Sequence, residues 1–304
     1  MLPALSLVLL IAASACSRDD LSLGDGRPDA GAGGGAPAGG AGGDGGAPAI
    51  LPPFSEPTMI AALSASEDGN DDDPSLTADL TEIYFNSDRT GSNEDIWRSV
   101  RANETDDWPA PEAVDVLNSP DRETGIALAA DGLTVWFSSD RGGAGLDIYV
   151  ARRDQRSDEW LSPELEEALS TSDDDLVSSI SADGLTIYLA RRTDDSDDYD
   201  VFVAQRDTVA DDWQPAAALS EVNTDAAESD ASPVQGGLVL LFTRSEDLYV
   251  AERSSSGGLF SNPTPIEALN SESDDRDAWA THDFGYVVFS SDREGRYQLF
   301  QARR

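Results

Sequence analysis

Acidic side chains carry most of the chemistry this sequence offers. Asp73, Asp230 and Asp277 stand at one equivalent position of a repeated segment, and Trp279 follows Asp277 by two residues, on the same face of an extended strand. Two carboxylates facing each other across a sugar would supply the acid and the nucleophile or base of a glycosidase, with an indole to stack on the ring. The other two copies carry Gly125 and Val177 there. More acids precede each of these positions, in EDGNDDD (67–73), PDRE (120–123), SDDD (172–175), AAESD (226–230) and SDDRD (273–277). Oxygen-only sets suit Ca²⁺, a hard cation, and make Asp71, Asp72, Asp173 and Asp174 candidate ligands. No copy has EF-hand or nonapeptide spacing. A solvated acidic rim is the other reading, with Asp73, Asp121, Asp175, Asp230, Asp275, Asp277 and Trp279 as its binding surface.

Other chemistries lack residues. His282 is the single histidine and Cys16 the single cysteine, so Ser-His and Cys-His nucleophiles, internal disulfides and multi-cysteine metal sites are all unsupported. The glycine runs do not form a phosphate-cradling loop. Of 304 residues, 59 are Asp or Glu and 20 are basic, a net charge of −39. Every basic residue is arginine. Such a surface repels nucleic acid and anionic lipid and attracts cations, Ca²⁺ or a basic patch on a protein or peptide.

The elements that must hold these acids repeat about every fifty residues. The clearest copies are ETGIALAADGLTVWFSSDRGGAGLDIYVARR (123–153) and DLVSSISADGLTIYLARRTDDSDDYDVFVAQR (175–206). Each has a short first strand (74–77, 126–129, 178–181, 231–234, 278–281) and then a turn, best seen in Asp131-Gly132 and Asp183-Gly184. A β-branched and aromatic strand anchored on Phe85, Phe137, Leu189, Phe242 or Phe289 comes next. A third strand (DIW, DIY, DVF, DLY, QLF) leads to a proline-bearing segment, which belongs at a sheet edge. Four strands per copy make a propeller blade. The last copy ends after its third strand, while 54–66 (FSEPTMIAALSAS) matches 260–272 (FSNPTPIEALNSE). The expectation is therefore an all-β, five-bladed propeller over 54–304, with the N-terminal segment as the outer strand of the last blade. First strands line the channel of such a ring, so the acids would surround one mouth. Trp108, Trp160 and Trp213 recur with the period and are expected to pack between blades.

The run Ser-x-x-Asp-Gly-x-Thr-x-Tyr-Phe-x-Ser-Asp-Arg, then Asp-Ile-Tyr, resembles the TolB-type, WD-like propeller repeat of bacterial envelope proteins. Ser-Asp-Arg stands at 87–89, 139–141 and 291–293, with Arg191-Arg192 and Arg244-Ser245 in its place in the other blades; Gly236-Gly237 replaces the Asp-Gly turn of the fourth. The Asp and Arg of the tripeptide are expected to bind each other or the backbone of a neighbouring blade. The resemblance implies a periplasmic or surface location and protein–protein binding, without any one reaction. Several five-bladed propellers are glycosidases, which keeps a carbohydrate-active reading open. The Asp-Gly turns differ in spacing from the Asp boxes of sialidases, and no arginine cluster of that kind is placed.

Residues 1–16 (MLPALSLVLLIAASAC) are apolar but short for a membrane span, and Ala13-Ser14-Ala15-Cys16 resembles the lipobox of bacterial lipoproteins. That resemblance implies cleavage before a lipidated Cys16, and Ser17 after it leans towards the outer membrane. Residues 17–53, rich in Gly, Ala and Pro, read as a disordered tether spanning about 30 Å. The whole reads as an envelope lipoprotein, touching membrane only through its lipid. Its acidic propeller is expected to be monomeric, to bind protein and to need no cofactor unless the acids take Ca²⁺.

Overall fold

The computed structural model describes residues 53–64, 69–91, 93–143, 145–192 and 198–304. Residues 1–16 of the expected leader, with Cys16, and residues 17–52 of the expected tether lie outside them. The first strand among the described residues is β1 (Thr58–Met59), a short strand whose partner comes from the far end of the sequence. The first blade is β2 (Asp71–Leu76), β3 (Glu82–Ser87), β4 (Asp95–Val100) and β5 (Glu112–Ala113). The second is β6 (Glu123–Leu128), β7 (Thr134–Ser139), β8 (Asp147–Arg152) and β9 (Glu164–Leu165). The third is β10 (Asp174–Ile180), β11 (Thr186–Arg192), β12 (Tyr199–Gln205) and β13 (Ala217–Ala218). The fourth is β14 (Glu228–Val234), β15 (Val239–Arg244), β16 (Asp247–Glu252) and β17 (Ser261–Pro265). In the fifth, β18 (Asp275–Ala280), β19 (Tyr286–Ser291) and β20 (Gln298–Arg303) are completed by β1.

Each sheet is antiparallel with strands in sequence order, except that β1 lies outside β20. The inner strands β2, β6, β10, β14 and β18 neighbour one another in a closed circle. The protein is thus a five-bladed propeller, as the repeat implies. Ring closure uses the segment that the FSEPT/FSNPT match singled out: Ser55 N–H donates to Arg303 O at 2.7 Å and Ile60 N–H to Leu299 O at 2.8 Å. Pairing the two termini leaves no open sheet edge between the first and last blades.

Packing between blades comes from the middle strands. Ile83, Phe85, Val135, Phe137, Leu189, Leu241, Phe242, Val287 and Phe289 are fully buried. Trp160 meets Tyr84 of the preceding blade edge-on, and its indole N–H donates to the phenol oxygen at 3.2 Å. Trp213 meets Trp136 edge-on as well, without such a hydrogen bond.

Two rings of arginine complete the blades and give the arginine-only composition a physical role. At the mouth where the first strands begin, Arg89, Arg141, Arg191, Arg244 and Arg293 pair with Asp71, Glu123, Asp175, Glu228 and Asp275, all fully buried. Each guanidinium also donates to a carbonyl of the incoming inter-blade segment, that of Leu63, Leu117, Leu169, Val222 or Leu269. Of the two roles expected for the tripeptide, its arginine takes the second, reaching the backbone of the segment that arrives from the preceding blade. Its aspartate does not hold its arginine: Asp88, Asp140 and Asp292 accept backbone N–H groups of Asn70, Arg122 and Asp274.

In the second ring, the residue after each third strand is Arg101, Arg153, Arg206, Arg253 or Arg304. These lie 3.9–4.4 Å over Trp108, Trp160, Trp213, Phe260 and Phe54. The planar guanidinium stacks and hydrogen-bonds at once, which an ammonium does not do. Arg304 over Phe54 staples the two ends of the domain together.

Candidate functional site

Each inner strand begins three or more residues before the segment read from sequence, so several acids lie within strands rather than in entering loops. All five inner strands carry a bulge, between Asp72/Ser75, Thr124/Ile126, Val177/Ser179, Ser229/Ser232 and Arg276/Trp279. A bulge adds one residue and re-aims the side chains around it. Asp73, Asp230 and Asp277 occupy it with φ of 50°, 52° and 55°, close to the 56° of Gly125. Left-handed backbone is costly for residues other than glycine, and Asp and Asn tolerate it better than most.

The bulges bring these three carboxylates together. One oxygen from each lies within 4.8 Å of the others, and they come from the adjacent blades four, five and one. Asp73 accepts the N–H of Gly125 at 2.9 Å and the Thr124 hydroxyl at 3.1 Å. Asp230 accepts Ser229 Oγ at 2.6 Å. Arg276 Nε lies 3.2 Å from Asp277, and its Nη2 lies 3.3 Å from Asp72, so one guanidinium serves two acids. That guanidinium stacks 3.8 Å over Tyr297, whose hydroxyl donates to Asp274 at 2.7 Å.

Burial and mutual repulsion raise the proton affinity of the group. Burial and then the Asp230 charge push Asp73 up from 3.8 to about 6, against the opposing Gly125 N–H. Burial followed by the charges of Asp230 and Asp73 raises Asp277 well above its usual range. Asp72 is raised as well, by burial and then by Asp73. Asp73 in the folded chain therefore keeps its proton between pH 3.8 and about 6, where the unfolded chain has lost it. The folded state binds more protons in that window, so stability falls as pH rises through it. The melting temperature is expected to rise on acidification from pH 7 to pH 5, and Asp230→Asn to flatten that rise.

Two small spaces adjoin the acids. One of about 20 Å³ is lined by Asp73, Asp230, Asp277, Ser178 and Trp279 among others. Ser178 Oγ is buried there without a hydrogen-bond partner. A second, of about 130 Å³, lies further along the channel against Leu76, Leu128, Ile180, Pro233 and Ala280, and ends at exposed His282. Ser179, Ser232 and Trp279 line both.

The remaining residues singled out from sequence fall elsewhere. Asp175 and Asp275 are fully buried partners of Arg191 and Arg293, not members of a solvated rim. Asp71 is a buried partner of Arg89, away from the expected Ca²⁺ role. Asp174 pairs with Arg192 and accepts Leu146 N–H, while Asp121 is exposed and Asp173 partly buried. The four Ca²⁺ candidates do not gather; among the described residues the convergent set is Asp73, Asp230 and Asp277. Arg276 was missed, although it is the one basic residue in any inner strand.

Gly125 shows why the second blade has no fourth acid. A Cβ built on it would lie 2.7 Å from Val177 O. Gly125→Ala should lower stability by about 1–3 kcal/mol, read as an earlier urea midpoint; an unchanged midpoint would mean the inner strands part freely.

No protein-family model matches the chain, and no curated protein matches its sequence. Solved structures do. An endo-arabinase from Bacteroides thetaiotaomicron is 12% identical with a TM-score of 0.54, over 83% of this chain and 97% of that one. A TolB-type protein from Agrobacterium tumefaciens is 16% identical with a TM-score of 0.50, over 77% and 76%. A thermostable family-43 glycoside hydrolase is 10% identical with a TM-score of 0.50, over 79% and 90%. At these identities the likeness is one of fold alone, shared by proteins with different work.

Proposed function

We propose that this propeller is a non-enzymatic binding module, held at the cell envelope by a lipidated Cys16, whose acidic channel mouth receives a positively charged group of a protein or peptide. One observation carries the reading: three carboxylates converge within 4.8 Å around a space of about 20 Å³. The space between these acids suits a single water-sized group, not a sugar ring. Arg276 offsets part of the charge, and the excess favours an incoming cation.

The test is a titration with a lysine-containing peptide by fluorescence anisotropy. Neutralising Asp230 and Asp277 to Asn should weaken binding at least tenfold. Neutralising exposed Asp211 and Asp212, an equal change in net charge, should change it less than twofold. Equal losses would reduce the effect to bulk charge and sink the proposal.

A carbohydrate-active propeller is the second reading, favoured by Trp279 beside Asp277 on the channel wall. It requires the carboxylates to part when sugar enters. Turnover of any oligosaccharide by the wild type and its loss in Asp277→Asn would establish it. The lipid anchor stands on the 1–16 segment and is checked by the mass of the N-terminal peptide from native envelopes, where a diacyl or triacyl adduct on Cys16 is expected.

A further inference from the structure

We infer that the channel below the acids is a small-molecule site for an unbranched primary alkylammonium, its head among Asp73, Asp230 and Asp277 and its tail against Leu76, Leu128 and Ile180. The inference shares its three acids with the binding reading above but adds an apolar compartment and an entrance at the opposite end of the channel.

Size sets the ligand. A space of about 20 Å³ exceeds the roughly 10–15 Å³ that one water needs, which admits an ammonium head and nothing larger. The adjoining 130 Å³ approaches the cavity of about 150 Å³ that takes benzene, so it holds a tail of about five carbons. Because Ser179, Ser232 and Trp279 line both spaces, head and tail can occupy them as one molecule.

Donor count sets the head. An –NH₃⁺ group has three N–H donors and no acceptor, and three carboxylates converge on the space. Ser178 Oγ, buried on its wall without a partner, offers a further acceptor. Trp279 adds an aromatic wall, which favours a cation over a neutral amide or alcohol. A divalent ion is less well served. Ca²⁺ takes six to eight oxygens, whereas Arg276 already stands 3.2 Å from Asp277 and N–H and O–H donors already point at Asp73.

Calorimetric titration with n-pentylammonium tests this, with ammonium (head alone), 1-pentanol (tail alone) and Ca²⁺ as comparisons. Pentylammonium should bind at least tenfold more tightly than either fragment, and Asp230→Asn should abolish the difference. Ala182→Trp, at the His282 end of the channel, should block pentylammonium while leaving peptide capture at the acidic mouth unchanged. Equal binding of ammonium and pentylammonium would overturn the proposal, as would preferential binding of Ca²⁺ or indifference to Ala182→Trp. Failure of the wild type to capture the lysine peptide while it binds pentylammonium would instead count against the protein-binding reading alone.

Discussion

Arg153→Met should lower the unfolding free energy by about 3–5 kcal/mol, the cost of leaving a buried carboxylate without its counter-ion. The Arg153 side chain is fully buried, and its Nη2 lies 2.6 Å from Glu82, which is itself 3% exposed. The same guanidinium donates to Gly132 O at 2.7 Å and Arg156 O at 2.8 Å, and stacks on Trp160. Glu82 belongs to the first blade and Arg153 to the second, so the pair rivets neighbouring blades. A double change, Glu82→Gln with Arg153→Met, should recover a large part of the loss, because it removes the orphaned charge. Urea unfolding of the four proteins measures the coupling. Additive losses in the double variant would mean the two residues act independently.

Asp230→Gly should do the reverse, stabilising the domain while removing its function. The substitution relieves a left-handed backbone worth about 1–2 kcal/mol and takes one charge out of a crowded, partly buried trio. Gly125 already fills the equivalent bulge with φ of 56°, so the backbone accepts glycine there. The expected result is a melting temperature higher by several degrees, together with at least a tenfold loss of cation binding. Asp230→Asn separates the two causes, since it removes charge but keeps a side chain tolerant of positive φ. Strain and repulsion gathered at one place are what a binding site costs a fold. A destabilised Asp230→Gly protein would mean that Asp230 holds the ring together, and the trio would then be structural.

The architecture was legible because its determinants are local and periodic. The buried middle strands repeat their β-branched and aromatic residues, and Phe54 at one end finds its match in Phe260. The alignment also put Asp73, Asp230 and Asp277 at one position, which the bulges turn into one place in space. The roles of the other acids were hidden by the length of the arginine side chain. In the third and fourth blades Arg191 and Arg244 sit two residues earlier than Arg89 does in the first, yet their guanidiniums reach equivalent carboxylates. In sequence that shift looks like a lost tripeptide. For the same reason Asp175 and Asp275 read as solvated acids, when a buried partner makes their burial possible. The bulges themselves leave no clear mark in sequence, because Asp or Gly fills four of them and in the third blade the bulge falls one residue later, at Ser178. Cys16 and the rest of residues 1–52 lie outside the described residues, and the lipobox resemblance rests on the sequence alone.

Three carboxylates crowd around the channel and together form one cation site. Carbon-detected NMR titration of the Asp73 carboxyl group tests it most directly. Asp73 should titrate near pH 6, and its midpoint should fall in Asp230→Asn and again when n-pentylammonium is present. A midpoint near the ordinary aspartate value of about 4, unmoved by either change, would mean that the carboxylates do not share one site and would contradict the account.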